Sequence, residues 1–339
     1  MPNMQLLLAR PRGFCAGVDR AVDIVEMALE IFGPPVYVRH EIVHNSYVVD
    51  GLRQRGAVFV DDLAEVPEGS PLVFSAHGVS PAVRAEAAAR KLRAIDATCP
   101  LVTKVHLEAV RFARQGYAIL LVGHVGHIEV EGTMGEAPEV TQLVDSVQTA
   151  HTIHVANPDR VAYLTQTTLS VDEAEEILEV LRQRFPKIVS APKSDICYAT
   201  TNRQNAVKEI ARKCDVLLVV GAPASSNSNR LVEVGNLCGA RSYLVERAAN
   251  IRKEWVEGAR CVGVTAGASA PEILVEEVIA QLRDWGATEA VEVEVVREDI
   301  AFTLPRELAE EARRKGVAPE QLEKHVRSRG STSRTTPAA

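Results

Sequence analysis

No uninterrupted apolar run in the chain approaches membrane-spanning length, so no spanning helix is predicted. Positive charge is not in surplus: 38 Lys and Arg face 45 Asp and Glu, a net charge of −7. That balance offers no bulk basic character for nucleic acid. Cysteine is sparse, six in 339 residues, which does not describe a secreted disulfide framework. Only Leu6-Leu7-Leu8-Ala9 precedes Arg10, too short for the apolar core of a signal peptide. The expectation is a cytoplasmic protein with reduced thiols. What is present is ordinary in bulk: 46% apolar and 24% charged residues, enough chain for two or three domains with sizeable cores.

The informative cysteines stand at junctions. The apolar run Met4–Ala9 reads as a strand and leads to Arg12-Gly13-Phe14-Cys15-Ala16-Gly17. Apolar residues at 18, 21, 22, 25, 28, 29 and 32 follow at helical spacing. Cys15 therefore lies at a helix N-terminus, where free N–H groups and the helix dipole favour a thiolate. The pattern returns at Ala97-Thr98-Cys99-Pro100, whose proline suits a first helical turn, and at Ser194-Asp195-Ile196-Cys197. The separations are domain-sized, and three such thiols can converge on one pseudo-threefold axis. Cys214, Cys238 and Cys261 fall on predicted helix ends and a strand, where buried, inert cysteine is the default.

Strand-like runs alternate with helical patterns throughout: Val36–Arg39, Ala57–Val60, Leu72–Ser75, Leu92–Asp96, Ala118–Val122, Ala162–Leu164, Val216–Val220, Ser242–Val245 and Cys261–Thr265. Several are nearly continuous apolar runs, as buried parallel strands require. Ser170-Val171-Asp172-Glu173 reads as a capping box, and Ser80 and Ser269 as caps before proline-started helices. The fold class predicted is α/β: three αβα units with mainly parallel sheets. Their boundaries fall near the cysteines, at 17–99, 100–193 and 194–284, with residues 1–16 completing the third. Residues 285–339 form a C-terminal extension: a strand-bearing stretch over 285–304, a charged, helix-prone segment over 305–328, and a small, polar end predicted to be disordered.

Ligands of open α/β sheets bind beyond the carboxyl ends of the strands. There the sequence places His77 and Ser80, then His124, His127 and Glu129, then Thr165 to Thr168, then Ser225-Ser226-Asn227-Ser228-Asn229, then Ser269. One such residue before a helix is usually only a cap. Five in a row exceed what capping needs and suit an anion such as phosphate. Three thiols without a fourth suit either an iron–sulfur cluster with one open iron or a zinc site with an open position. His40-Glu41-Ile42-Val43-His44 matches the H-E-x-x-H zinc pattern, but a strand runs straight into it, where the zinc chemistry needs a helix. His124-x-x-His127 with Glu129 is also zinc-like in spacing, in a glycine-rich surround that favours a loop near a ligand.

Taken together, the stretches PRGFCAGVDR (11–20), VRHEIVHN (38–45), SAHGVS (75–80), DATCPLVTKVH (96–106), GHIEVEGTMG (126–135), TQTTLSV (165–171), DICYATTNRQ (195–204), SSNSNR (225–230) and VGVTAGASAP (262–271) resemble the 4-hydroxy-3-methylbut-2-enyl diphosphate reductase (LytB) family, in order over nearly the whole chain. The resemblance implies three αβα units around a central 4Fe-4S cluster. Cys15, Cys99 and Cys197 would be its ligands, with the fourth iron open to the substrate's 4-hydroxyl. It implies that His44, His77, His127, Ser225, Ser226, Asn227 and Ser269 hold a diphosphate. Glu129, with Thr167 beside it, would deliver the proton that lets the hydroxyl leave as water. It further implies isopentenyl and dimethylallyl diphosphates as products, and a ferredoxin or flavodoxin as donor of two electrons. On this reading the H-E-x-x-H match is accidental.

The chain departs from the family at Ile128, where a proline is usual, a change expected to loosen the loop carrying the acid. The alternatives weighed are a quinolinate synthase-like cluster dehydratase, a non-catalytic iron–sulfur sensor and a zinc hydrolase. The polar run at Ser225–Asn229 and the Glu129 loop favour the reductase.

Overall fold

The computed structural model describes residues 4–316. The small, polar end, and the disorder expected of it, lie outside the described residues. The first strand, β1 (Met4–Arg10), is followed by a four-stranded sheet of β2 (Val36–Arg39), β3 (Ala57–Val60), β4 (Pro71–Phe74) and β5 (Arg93–Asp96). A second sheet holds β6 (Ala118–Val122), β7 (Thr141–Val144), β8 (Val161–Thr165) and β9 (Val189–Ser190). The third holds β10 (Val216–Val220), β11 (Arg241–Val245), β12 (Cys261–Ala266) and β13 (Ala287–Glu294), together with β1.

Every strand pairing is parallel. The orders are β3-β2-β4-β5, β7-β6-β8-β9 and β11-β10-β12-β1-β13. The same arrangement, second strand outside the first and then the third and fourth, thus occurs three times. In the last sheet the chain's own N-terminus supplies the fourth strand: Leu6 of β1 stands opposite Val262 of β12. The three-sheet α/β class predicted from alternating patterns is the one observed. Strand composition explains it: β10 and β12 are buried at every position, so both faces must be covered by helices.

The covering helices are α1 (Ala16–Phe32), α2 (Ser46–Gln54), α3 (Pro81–Ala89), α4 (Pro100–Arg114), α5 (Ile128–Met134), α6 (Val147–Thr152), α7 (Val171–Arg184), α8 (Tyr198–Ala211), α9 (Ser226–Leu237), α10 (Lys253–Val256), α11 (Glu272–Asp284) and α12 (Arg306–Arg314). Helix α1 is the most enclosed: Ala21, Ile24, Val25 and Ala28 are inaccessible to solvent. It packs against β2 and β4 on one side, and Leu308 and Ala312 of α12 join the same core. Truncating a side chain such as Ile24 to alanine there costs about 2–5 kcal/mol. The chain after β13 therefore returns from the third sheet to the first.

Two local expectations are corrected and a third holds. Ser80 does cap α3, accepting from the Val83 N–H. Ser269 does not cap α11, which starts after Pro271 without a side-chain cap; its hydroxyl is drawn inward to the carbonyl of His44, 3.0 Å away. Ser170 caps α7 by accepting from the Glu173 N–H, but Glu173 turns away from the cap to pair with Arg230 at 2.8 Å. Strand β7, with its mixed Thr-Gln-Leu-Val sequence, carries too little apolar pattern to be predicted.

Candidate active site

The carboxyl ends of the three sheets open onto one cavity of about 110 Å³. Every residue to which the family resemblance gives a site role lines it: Cys15, Cys99 and Cys197; His44, His77 and His127; Glu129 and Thr167; Ser225, Ser226, Asn227 and Ser269. They are far apart in sequence and meet because each follows a strand that ends at the same place.

At one end are the thiols. Cys15, Cys99 and Cys197 are the N-cap residues of α1, α4 and α8, respectively. Cys15 and Cys99 make no side-chain capping bond; Cys197 Sγ accepts from the Thr200 N–H at 3.3 Å and lies 3.1 Å from Thr200 Oγ1. The helix N-termini were expected to favour thiolates. Instead, burial raises all three thiols, Cys99 to about 12 and Cys197 to about 11, and repulsion from a neighbouring cysteine adds to it for Cys99 and Cys197. The backbone N–H groups act in the expected direction but are outweighed by desolvation. Metal coordination reverses this, because a coordinating thiol is deprotonated outright.

Gly17 makes room between the thiols. A Cβ on that residue would sit 2.7 Å from Cys99 Sγ and 3.8 Å from Cys15 Sγ. Among the described residues, no three His, Cys, Asp or Glu side chains are gathered tightly enough to hold a single metal ion.

Glu129 stands where the thiol end meets the rest of the cavity. It is in the first turn of α5 and is 3% exposed. Its Oε1 accepts from the Thr167 N–H at 2.6 Å, and the Thr167 hydroxyl lies 2.9 Å from Oε2. Burial pushes its pKa up to about 7, opposed by the two Thr167 bonds and aided by Asp195. The carboxyl is thus partly protonated at neutral pH, as a general acid must be. The Thr167 carbonyl accepts from the Cys197 N–H at 3.0 Å, so one residue fixes both the acid and the third cysteine. Ile128 occupies the first helical position, one that proline also suits. Helix α5 forms nonetheless, capped by His127, and the acid is held at both oxygens, so isoleucine at this position leaves the acid in place.

The other end is polar. The rings of His44 and His77 stack with centroids 4.3 Å apart, and His127 meets both edge-on at 6.0 Å. Burial and the neighbouring imidazoles push His77 well below its usual range and His127 down to about 4. His127 Nδ1 accepts from the Glu129 N–H at 3.2 Å, which leaves its ring proton on Nε2. Ser225 caps α9 and receives hydrogen bonds from Ser228 and Ser269 at 3.0 and 3.4 Å. Asn227 Oδ1 accepts from the Ala268 N–H at 2.9 Å, holding the β12–α11 loop against α9. Neutral donors and a helix N-terminus gather at this end, the chemistry that suits an anion.

The zinc-like patterns do not survive. His40 has a positive φ of 59° and lies outside any helix, with Nδ1 on Asp61 at 2.8 Å. Helix α2 begins only at Ser46, so His40 and His44 do not share a helical face. His124 turns to Gln166, 3.2 Å away, and is absent from the cavity wall. Cys214 and Cys261 are buried and Cys238 ends α9; none of the three lines the cavity. Nine lining residues carried no assigned site role, among them Gly17, Thr168, whose hydroxyl lies 3.1 Å from that of Ser226, and Thr200. Each sits within a stretch singled out for its neighbours.

Comparison with known proteins agrees with this geometry. The model of the LytB protein family matches residues 6–283. The chain is 56% identical over 308 residues to the 4-hydroxy-3-methylbut-2-enyl diphosphate reductase of Methylococcus capsulatus, covering 90% of this chain and 98% of that one. To the enzyme of the same name from Salmonella paratyphi C it is 58% identical over 313 residues, covering 91% and 99%. Among solved structures, the E-1-hydroxy-2-methyl-but-2-enyl-4-diphosphate reductase of Plasmodium falciparum superposes with a TM-score of 0.89 at 37% identity, over 93% of this chain and 100% of that one.

Proposed function

The chain belongs to the LytB family, and from that premise we propose that it reductively dehydroxylates 4-hydroxy-3-methylbut-2-enyl diphosphate, giving isopentenyl and dimethylallyl diphosphates, the last step of the non-mevalonate isoprenoid route. The observation that carries the reading is a single cavity with thiols from three helix N-termini at one end, an anion site at the other and a buried carboxyl with a pKa of about 7 between them.

Cys15, Cys99 and Cys197 are the residues that would hold a 4Fe-4S cluster, leaving one iron without a protein ligand. The bound cluster supplies a Lewis-acidic site for the substrate hydroxyl and a path for electrons. The chain's own groups do the rest. His44, His77, His127, Ser225, Ser226, Asn227 and Ser269 hold the diphosphate, and that remote grip fixes the orientation of the allylic alcohol. Thr167 holds the Glu129 carboxyl by both oxygens so that it faces the cavity. Hydroxide is a poor leaving group, and the proton from Glu129 converts it to water. The overall change consumes two electrons and two protons: the C–O bond breaks, one proton leaves in the water and one becomes a C–H bond. The electrons come from an external ferredoxin or flavodoxin. The polar end has no use in an iron–sulfur sensor. A cytoplasmic, reducing setting suits the free thiols; among the described residues no helix is long and apolar enough to cross a membrane.

The test is oxidation of a reduced viologen by anaerobically purified protein of known iron and sulfide content. Adding the hydroxymethylbutenyl diphosphate is expected to bleach the dye and yield the two five-carbon diphosphates. No reaction from cluster-loaded protein would overturn the reading.

A further inference from the structure

The three loops that present the thiols are tied together in a ring. Helix α1 carries Arg20 five positions past Cys15, α4 carries Lys104 five past Cys99, and α8 carries Arg203 six past Cys197. Each cation reaches back to the loop of a different cysteine. Arg20 Nη1 donates to the carbonyls of Ala97 and Thr98, at 3.3 and 3.0 Å, just before Cys99. Lys104 Nζ donates to the carbonyls of Lys193 and Ser194, at 2.9 and 3.0 Å, and to Asp195 Oδ1 at 3.1 Å, just before Cys197. Arg203 donates to the Gly13 carbonyl from Nε at 3.0 Å and Nη2 at 2.7 Å, and to the Phe14 carbonyl at 3.1 Å, just before Cys15.

The circuit closes: the Cys15 helix holds the Cys99 loop, the Cys99 helix holds the Cys197 loop, and the Cys197 helix holds the Cys15 loop. We propose that Arg20, Lys104 and Arg203 are positioning residues that lock the three thiols at cluster spacing and lend positive charge to a reduced cluster. This inference rests on the ligand set given under the proposed function.

Two further observations support it. Backbone carbonyls bonded to cations are fixed more firmly than those bonded to neutral donors, and groups behind the ligands govern both the spacing and the electronics of a metal site. The segment after β13 also reinforces two of the three clamps: Glu298 pairs with Arg203 at 3.1 Å, and the Thr303 carbonyl accepts from Arg20 Nε at 2.7 Å. Arg203 is wholly buried, and Glu298 is the carboxylate that faces its charge, with the Ala199 carbonyl accepting from Nη1 at 2.9 Å. A stretch that looks like a trailing extension in sequence thereby braces the cysteine loops.

The test uses the full-length, anaerobically loaded protein. Lys104→Met and Arg20→Met should release iron to a chelator about tenfold faster than the parent chain, the lower end of the usual cost of losing an outer-shell partner. Lys104→Arg and Arg20→Lys should restore slow release. A redox titration of the cluster's visible absorbance adds a reading that a purely structural role would not move. Arg20→Met should shift the potential to more negative values, because a nearby positive charge favours the reduced state, whereas Arg20→Lys should leave it near that of the parent chain. Unchanged iron release and potential in both methionine variants would overturn the clamps while leaving the ligand set standing. A parent chain that binds no iron or sulfide would overturn the ligand set, and the clamps with it.

Discussion

The two ends of the cavity are electrostatic opposites in how they are built. At the thiol end the groups facing the cavity are neutral, raised by burial, and the charges stand one layer back on Arg20, Lys104 and Arg203. At the polar end burial and crowding keep the facing imidazoles of His77 and His127 neutral. Each end is therefore poised for a partner of one sign. The thiols await cationic iron, which would ionise them. An anion bound beside His77 and His127 would draw protons onto them. In the proposed function one cavity takes metal at one pole and phosphate at the other, and Glu129 at the join takes its proton affinity from burial.

The comparison can be broken most severely at the thiol end. Cys99→Ser should leave a chain that cannot hold a full cluster and has no reductase activity, while affinity for a diphosphate product stays close to that of the parent. Full iron and sulfide content in this variant would remove Cys99 from the ligand set. At the join, Glu129→Gln should lower kcat by at least about a hundredfold, with a much smaller change in KM. The acid works only when protonated, and its pKa lies near 7, so kcat of the parent chain should fall as pH rises through that value. The glutamine variant should lack this limb of the profile.

The polar end should respond more gently. Asn227→Ala removes one amide that also secures the β12–α11 loop, and should weaken pyrophosphate binding about tenfold. Cluster content should not change, which separates the two poles; loss of iron would show that they are not independent. The smallest effect is a fraction of a proton. His77 and His127 are neutral in the free cavity at pH 7, with His127 near 4. An anion raises both, so binding should take up protons, and affinity should weaken as pH rises. Calorimetry in buffers of differing ionisation enthalpy reads this uptake directly. Zero uptake at neutral pH would mean that the anion is held by neutral donors alone.

Much of the thiol end was legible in the sequence, because its information is local. A cysteine with a helical pattern behind it appears three times, twice with a predicted strand just before it, and Cys15, Cys99 and Cys197 each stand at the N-cap of the helix expected of them; the short strand before Cys197, Val189–Ser190, was not predicted. The polar end was legible as strand ends rich in hydroxyls and histidines. Its internal wiring was not: Ser269 read as a cap, yet its hydroxyl bonds across the cavity wall to His44 and Ser225. The clamps were invisible for the same reason. Arg203 lies on a helix whose periodicity marks it only as one more polar residue, and its partners, Gly13 and Phe14, stand at the opposite end of the chain. The match to H-E-x-x-H shows the converse error, in which a local pattern is present without the helix that gives it meaning.

The most direct test of the central claim, that metal and substrate share this cavity, is a Mössbauer comparison of iron-57-loaded protein before and after addition of the hydroxymethylbutenyl diphosphate. The account predicts that one iron of four changes its signature on binding, while Cys99→Ser protein binds the diphosphate with no such signal. An unaltered spectrum from fully loaded, substrate-saturated protein would contradict it.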